Sequence, residues 1–200
     1  MFKIIMELAS IDMDQMIDTM MTMIRQYAPN GMIGGMKIPP FFNADYMKNL
    51  PQQMKIEMLT KAMTMEKGRT IPMLEQLLQR VFGQVKIQDY TMEAIQGTEG
   101  ILRMSVSVER MDTMQALDYL SDRYLHEENA GTLLGDHYET PFSKENCLNY
   151  MKNATEEDRL FYCLKLMSSQ KTMVMQDLEQ SAASKGITMQ IANLKFLLKK

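Results

Sequence analysis

Apolar residues recur at every second position in two short stretches of the chain, at 4, 6 and 8 and at 104, 106 and 108. A period of two is typical of a β-strand that buries one face. Two further apolar alternations follow Gly83 and Gly186. Their apolar positions are Val85 and Ile87 in one case, and Ile187, Met189 and Ile191 in the other. The pattern therefore predicts four strands.

Apolar residues spaced three and four apart follow each of the first two strands. Asp12 and Asp112 stand just before these runs, where a short carboxylate can cap a helix. The expected buried stripes are Met13, Met16, Ile17, Met20 and Ile24 in one helix, and Met114, Leu117, Leu120 and Tyr124 in the other. Each strand is thus predicted to lead into an amphipathic helix.

Further helix signals come in the same order in both halves of the chain. Short helices are predicted over 44–49 and 144–153, with Asn43 and Ser143 as caps. Helices are also expected after Pro51, after Thr155, after Gly68 and over about 171–185. Gly83 and Gly186 fit helix ends that need a left-handed residue.

This recurrence extends to the residues themselves when the chain is shifted by about a hundred positions. Leu74-Glu75-Gln76 recurs as Leu178-Glu179-Gln180, and Met47-Lys48-Asn49 recurs as Met151-Lys152-Asn153. We predict a tandem duplication of a β-α-(α)-α-α-β unit, with residues 1–95 as the first repeat and 101–200 as the second.

The segment between the two repeats has a turn composition, Gln96-Gly97-Thr98-Glu99-Gly100. It predicts that the strands on either side form a hairpin. We therefore expect one compact α+β domain: a four-stranded sheet shared by the repeats, packed with helices mainly on one face, and pseudo-two-fold symmetric.

Proline and glycine predict a loop within each repeat. The loop at 29–42 is long and apolar, which is typical of a segment that binds a partner or packs on its own domain. The candidate partner-binding residues are Met32, Ile33, Met36, Ile38, Phe41 and Phe42. The alternative is a lid over an exposed face of the sheet.

The corresponding loop of the second repeat carries both histidines, His126 and His137, each beside acidic residues. Imidazole and carboxylates could hold zinc or act as general acid and base. The spacing matches no HExxH or similar motif, so we expect an acidic, solvated loop and assign no metal site.

Methionine is unusually frequent, with 24 residues in 200. Thioethers are ligands for Cu(I), but the methionines follow the helical stripes and replace aliphatic residues of the other repeat, as Met6 does Val106. We therefore expect them to fill the core. Cys147 and Cys163 have aliphatic neighbours and no G-x-S-x-G elbow is present, so no catalytic residue and no cofactor are predicted.

Composition and charge restrict the classes of partner that we expect. A formal net charge of −3 gives no general reason to bind nucleic acid. No apolar run approaches the length that spans a membrane, and Lys3 and Glu7 interrupt the apolar start, so a cytoplasmic protein with reduced thiols is expected.

The leading hypothesis is a non-enzymatic protein-association module, acting on a protein partner or on a second copy. One alternative is a binder of a soft metal (copper or zinc) or of a small ligand. The other is an enzyme whose site lies between the repeats.

Overall fold

The computed structural model describes residues 1–27, 32–33, 36–37, 43–65, 67–95 and 100–198 of the chain. In chain order the elements are β1 (Phe2–Ala9), α1 (Met13–Tyr27), β2 (Met32–Ile33), β3 (Met36–Lys37), α2 (Ala44–Lys48), α3 (Gln52–Met65), α4 (Lys67–Phe82), β4 (Val85–Ala94), β5 (Leu102–Met111), α5 (Thr113–Tyr124), α6 (Glu127–Leu134), a 3₁₀ turn (Gly135–His137), α7 (Lys144–Asn153), α8 (Glu156–Ser169), α9 (Lys171–Ala183) and β6 (Gln190–Leu198).

Four strands form one antiparallel sheet in the order β4-β5-β1-β6. The α+β class and the four-stranded sheet are therefore confirmed. The hairpin between β4 and β5 is also confirmed, because the two strands pair and the Ile95 N–H donates to the Ile101 carbonyl at 3.1 Å.

One face of the sheet is buried. Phe2, Ile4, Met6 and Leu8 alternate with half-buried residues along β1, as the period of two predicts. The same alternation runs from Leu102 to Val108 in β5. The helices supply the other side of this core, since residues of α4, α5, α8 and α9 belong to the same apolar cluster as the strands.

Most predicted helix signals match the structure. Asp112 accepts hydrogen bonds from the backbone N–H groups of Met114 and Gln115, and Asp12 accepts one from Gln15. The caps Asn43, Ser143 and Thr155 each bond the third residue of their helix. Gly83 and Gly186 have φ of 70° and 75°, so both occupy the left-handed region that favours glycine.

Two predicted details are wrong. Met114 is 43% exposed rather than part of a buried stripe, because it is the second residue of α5 and the stripe begins with Ala116 and Leu117. The last strand begins at Gln190, so Ile187 and Met189 precede it. The Ile187 N–H instead bonds the Ala182 carbonyl at the end of α9.

A backbone anchor between helix and edge strand occurs once in each half. The Ile87 N–H of β4 donates to Glu75 Oε1 of α4 at 2.9 Å. The Ile191 N–H of β6 donates to Glu179 Oε1 of α9 at 2.6 Å. Each outer strand of the sheet is thus bonded, near its N-terminal end, to a carboxylate of a helix.

Two further contacts cross between the halves in matching ways. The Asp12 N–H donates to the Thr188 carbonyl, and Gln15 Oε1 accepts from the Thr188 N–H. In the same manner, Asp112 and Gln115 bond the carbonyl and the N–H of Gln84. The first turns of α1 and α5 are therefore hydrogen-bonded to the residues just before β6 and β4, the edge strands of the other half.

The two central strands pair with Ile5 opposite Ser105. On either side of this pair Ile4 lies opposite Val106, and Met6 lies opposite Met104. Adding 100 to the first residue number of a flanking pair and subtracting 100 from the second gives the other flanking pair. The same operation returns the Ile5–Ser105 pair to itself.

Candidate functional site

The predicted partner-binding segment is a small hairpin where the structure describes it. Met32 pairs with Lys37 and Ile33 with Met36. Ile38, Phe41 and Phe42, which were predicted to join the same patch, lie outside the described residues. Whether all six residues form one surface therefore stays a prediction.

Within the described part of the chain, the two short strands of this hairpin contact each other, and neither has more than slight contact with any other element. Met32 is 51% exposed. A flexible, polarisable side chain held in water on a strand is a contact that adapts to the shape of a partner. The hairpin thus presents at least one apolar side chain, that of Met32, to solvent.

Next to the hairpin in sequence, α1 and α2 form a small apolar cluster separate from the main core. Ile17, Met21 and Met47 are buried in it. Met13, Met16, Met47 and Met58 also line a void of about 10 Å³. Lys55 lines the same void, and its ammonium group pairs with Asp14 Oδ1 at 2.8 Å.

The histidine segment was expected to be a loop, and this is wrong: residues 127–134 form helix α6, and a 3₁₀ turn ends at His137. The His126 N–H donates to Asn129 Oδ1 at 3.0 Å, and Asn129 Nδ2 donates to the Tyr124 carbonyl at 2.7 Å. Glu127 and Glu128 in the first turn favour a helix start through its dipole. These local signals were present in the sequence and outweigh the glycines.

Helix α6 packs on its own half. Ala130, Leu133 and Leu134 are buried in the main core, and Lys165 of α8 donates to the last carbonyls of α6, including that of Thr132 at 2.6 Å. His126 lies at the start of this helix, and His137 lies in the 3₁₀ turn that follows its end. Within the part of the chain that the structure describes, no three His, Cys, Asp or Glu side chains are grouped closely enough to hold a metal ion.

The turn after α6 and the first turns of α7 border a partly open cavity of about 310 Å³. Its lining includes His137, Glu139, Asn146, Asn149 and Tyr150. The His137 ring stacks on the Tyr150 ring, with centroids 4.8 Å apart and 25° between the planes. The sequence predicts α7 but not this cavity, because it predicts a loop where the structure has the bordering 3₁₀ turn.

The cysteines are buried and unpaired, as predicted. Burial raises the pKa of the Cys163 thiol to about 12, and burial also raises the pKa of Cys147. A thiol that stays protonated at neutral pH is a poor nucleophile, so neither group is placed for covalent catalysis.

No protein-family model, curated protein or solved structure matches the chain. Among the described residues, no helix is both long and apolar enough to cross a bilayer.

Proposed function

We propose that the chain is a non-enzymatic, cytoplasmic protein-association module built from two copies of one unit, residues 1–95 and 101–200, within one domain. The observation that carries the association role is the exposed hairpin β2–β3, which occupies the place where the two halves differ most. The buried, unpaired thiols Cys147 and Cys163 support a reducing compartment.

The duplication and its pseudo-two-fold symmetry are supported by contacts that recur at equivalent positions. Glu75 and Glu179 anchor the outer strands alike. Two ion-pair or hydrogen-bond contacts recur in the same way: Lys48–Asp18 as Lys152–Asp118, and Lys67–Asp89 as Lys171–Asn193. The register of the central strands is consistent with a two-fold axis through the Ile5–Ser105 pair, which supports the same interpretation.

The two copies differ in the segment that follows their first helix, α1 in one copy and α5 in the other. The first copy has the hairpin there, whereas the second has α6 packed into the core. Where a duplicated framework is otherwise kept, a segment that changes its structure and exposes apolar atoms is the best candidate for a specific role.

An isolated two-stranded hairpin is marginally stable in water, so β2–β3 gains from being covered. Among the described residues each of its strands pairs on one side only, and an antiparallel edge can pair with a copy of itself around a two-fold axis. We therefore commit to a second copy of this chain as the partner, with Met32 at the contact.

Sedimentation velocity over a micromolar-to-millimolar concentration range tests the proposal. We expect a dimer that dissociates in Met32→Glu, because a charge replaces an apolar side chain at the interface. The register places this carboxylate opposite Lys37, so the hairpin itself is retained.

The matched control is Met173→Glu, which changes an exposed methionine of α9 in the same way. This variant should sediment as the parent does. A parent chain that stays monomeric over the whole range contradicts the proposal, as does a dimer that both variants weaken equally.

A further inference from the structure

The cavity between the 3₁₀ turn and α7 is lined by exposed polar side chains that are free to bond a ligand in place of water. Among the described residues, the side chains of Glu139, Asn146 and Asn149 form no hydrogen bond or ion pair with the protein. An amide both donates and accepts, and a carboxylate accepts. These three groups around one cavity therefore suit a ligand that itself carries several donors and acceptors.

The charges around the cavity oppose ions of either sign. Glu139 is a carboxylate in the lining, so it repels an anion. Ser143 and Asn146 belong to the N-terminal turn of α7, where the helix dipole is positive and disfavours a cation. A ligand without net charge avoids both penalties.

The aromatic pair adds a flat apolar surface to this polar cavity. Tyr150 is 38% exposed and stacks on His137 by one side, while Tyr162 packs edge-on with ring centroids 6.3 Å away. The C–H groups on one side of a pyranose ring pack against such an aromatic surface, while the hydroxyl groups at its rim need planar polar partners.

We propose that this cavity binds a neutral, hydroxyl-rich ligand of the sugar class. At about 310 Å³ it lies at the lower end of small-molecule pockets, roughly 300–1,000 Å³, which fits a mono- or disaccharide. The ring packs on Tyr150, and its hydroxyls bond Glu139, Asn146 and Asn149. This site is independent of the hairpin and of self-association.

Ligand-observed saturation-transfer NMR and amide shift titration of the full chain test it. The neutral probes are glucose, galactose, N-acetylglucosamine and maltose. Glucuronate and glucosamine serve as charged counterparts of the same ring. We expect at least one neutral sugar to bind, with amide shifts confined to residues around 137–150, and both charged forms to bind more weakly.

Asn149→Ala should raise the Kd of the bound sugar by about tenfold, which corresponds to one lost hydrogen bond of about 1.4 kcal/mol. The control is Asn153→Ala, an exposed asparagine one turn further along α7, which should leave the Kd unchanged. The proposal is overturned if no neutral probe binds, if a charged form binds as tightly, or if both variants weaken binding equally.

Discussion

Two carboxylates anchor the outer strands of the sheet, and removing them one at a time measures how alike the two halves are. The changes are Glu75→Ala in α4 and Glu179→Ala in α9. Each removes the acceptor for a backbone N–H at a buried position, Ile87 or Ile191. Both carboxylates are half-buried, so the two perturbations start from the same environment.

A hydrogen bond to a charged group contributes about 1.5–3 kcal/mol, and access of water to an edge strand reduces the loss. We therefore expect each variant to lose about 2 kcal/mol of unfolding free energy, or about 4–8 °C in Tm for a chain of this size. The anchors serve β4 and β6, which are three strand spacings apart, about 14 Å. At that separation the double variant should lose about 4 kcal/mol, the sum of the two.

Urea unfolding followed by circular dichroism gives these free energies. Gln76→Ala and Gln180→Ala, each the next and exposed residue of its helix, are the matched controls and should change stability by less than about 0.5 kcal/mol. A loss at one anchor with none at the other would refute the claim that they are equivalent.

Three other expectations follow from single groups. Asp177→Ala should lower the free energy of unfolding in urea by about 2–4 kcal/mol, because it leaves the hydroxyl of the fully buried Tyr124 without its acceptor. Tyr124→Phe should lower it by about 1 kcal/mol. Hydrogen bonds from Arg103 and Asn193 hold the pKa of Glu7 below its usual value of 4.5, so the stabilisation is present above that pH and is lost as pH falls through the lower value. The stability difference between the parent and Glu7→Gln should therefore shrink as the pH falls below 4.5, and an unchanged difference would contradict this assignment. Cys163 should resist iodoacetamide at pH 8 in the folded chain and react once urea unfolds it, as mass spectrometry would detect.

The sheet was predictable from sequence because its signal is local and strong. Alternation in residues 4–8 and 104–108 fixes which side chains face the core, and the turn composition at 96–100 pairs the adjoining strands. The helix caps were predictable for the same reason, since Asp112 or Thr155 acts on backbone groups only a few residues away.

The parts that sequence reasoning missed depend on competition or on distant contacts. Glycines at 131 and 135 suggested a loop, but Asn129 and the acidic first turn favour a helix, and burial of Leu133 and Leu134 stabilises it. The cavity beside α7 depends on how the 3₁₀ turn after α6 packs against α7, which no local pattern encodes. The aromatic pair His137–Tyr150 likewise joins residues 13 positions apart.

A circular permutant tests most directly the claim that two equivalent units share one sheet. Seven residues, 95–101, join the end of β4 to the start of β5, while Leu198 of β6 lies opposite Phe2 of β1 in the corresponding way. A four-residue linker between Lys200 and Met1 makes that second connection seven residues long as well, with new termini opened between Gly97 and Thr98. We predict that urea unfolding of the permutant stays cooperative, with a free energy within about 2 kcal/mol of the parent, because the closed loop has the same length. Loss of cooperative unfolding, or a free energy lower by much more than that, would contradict the account.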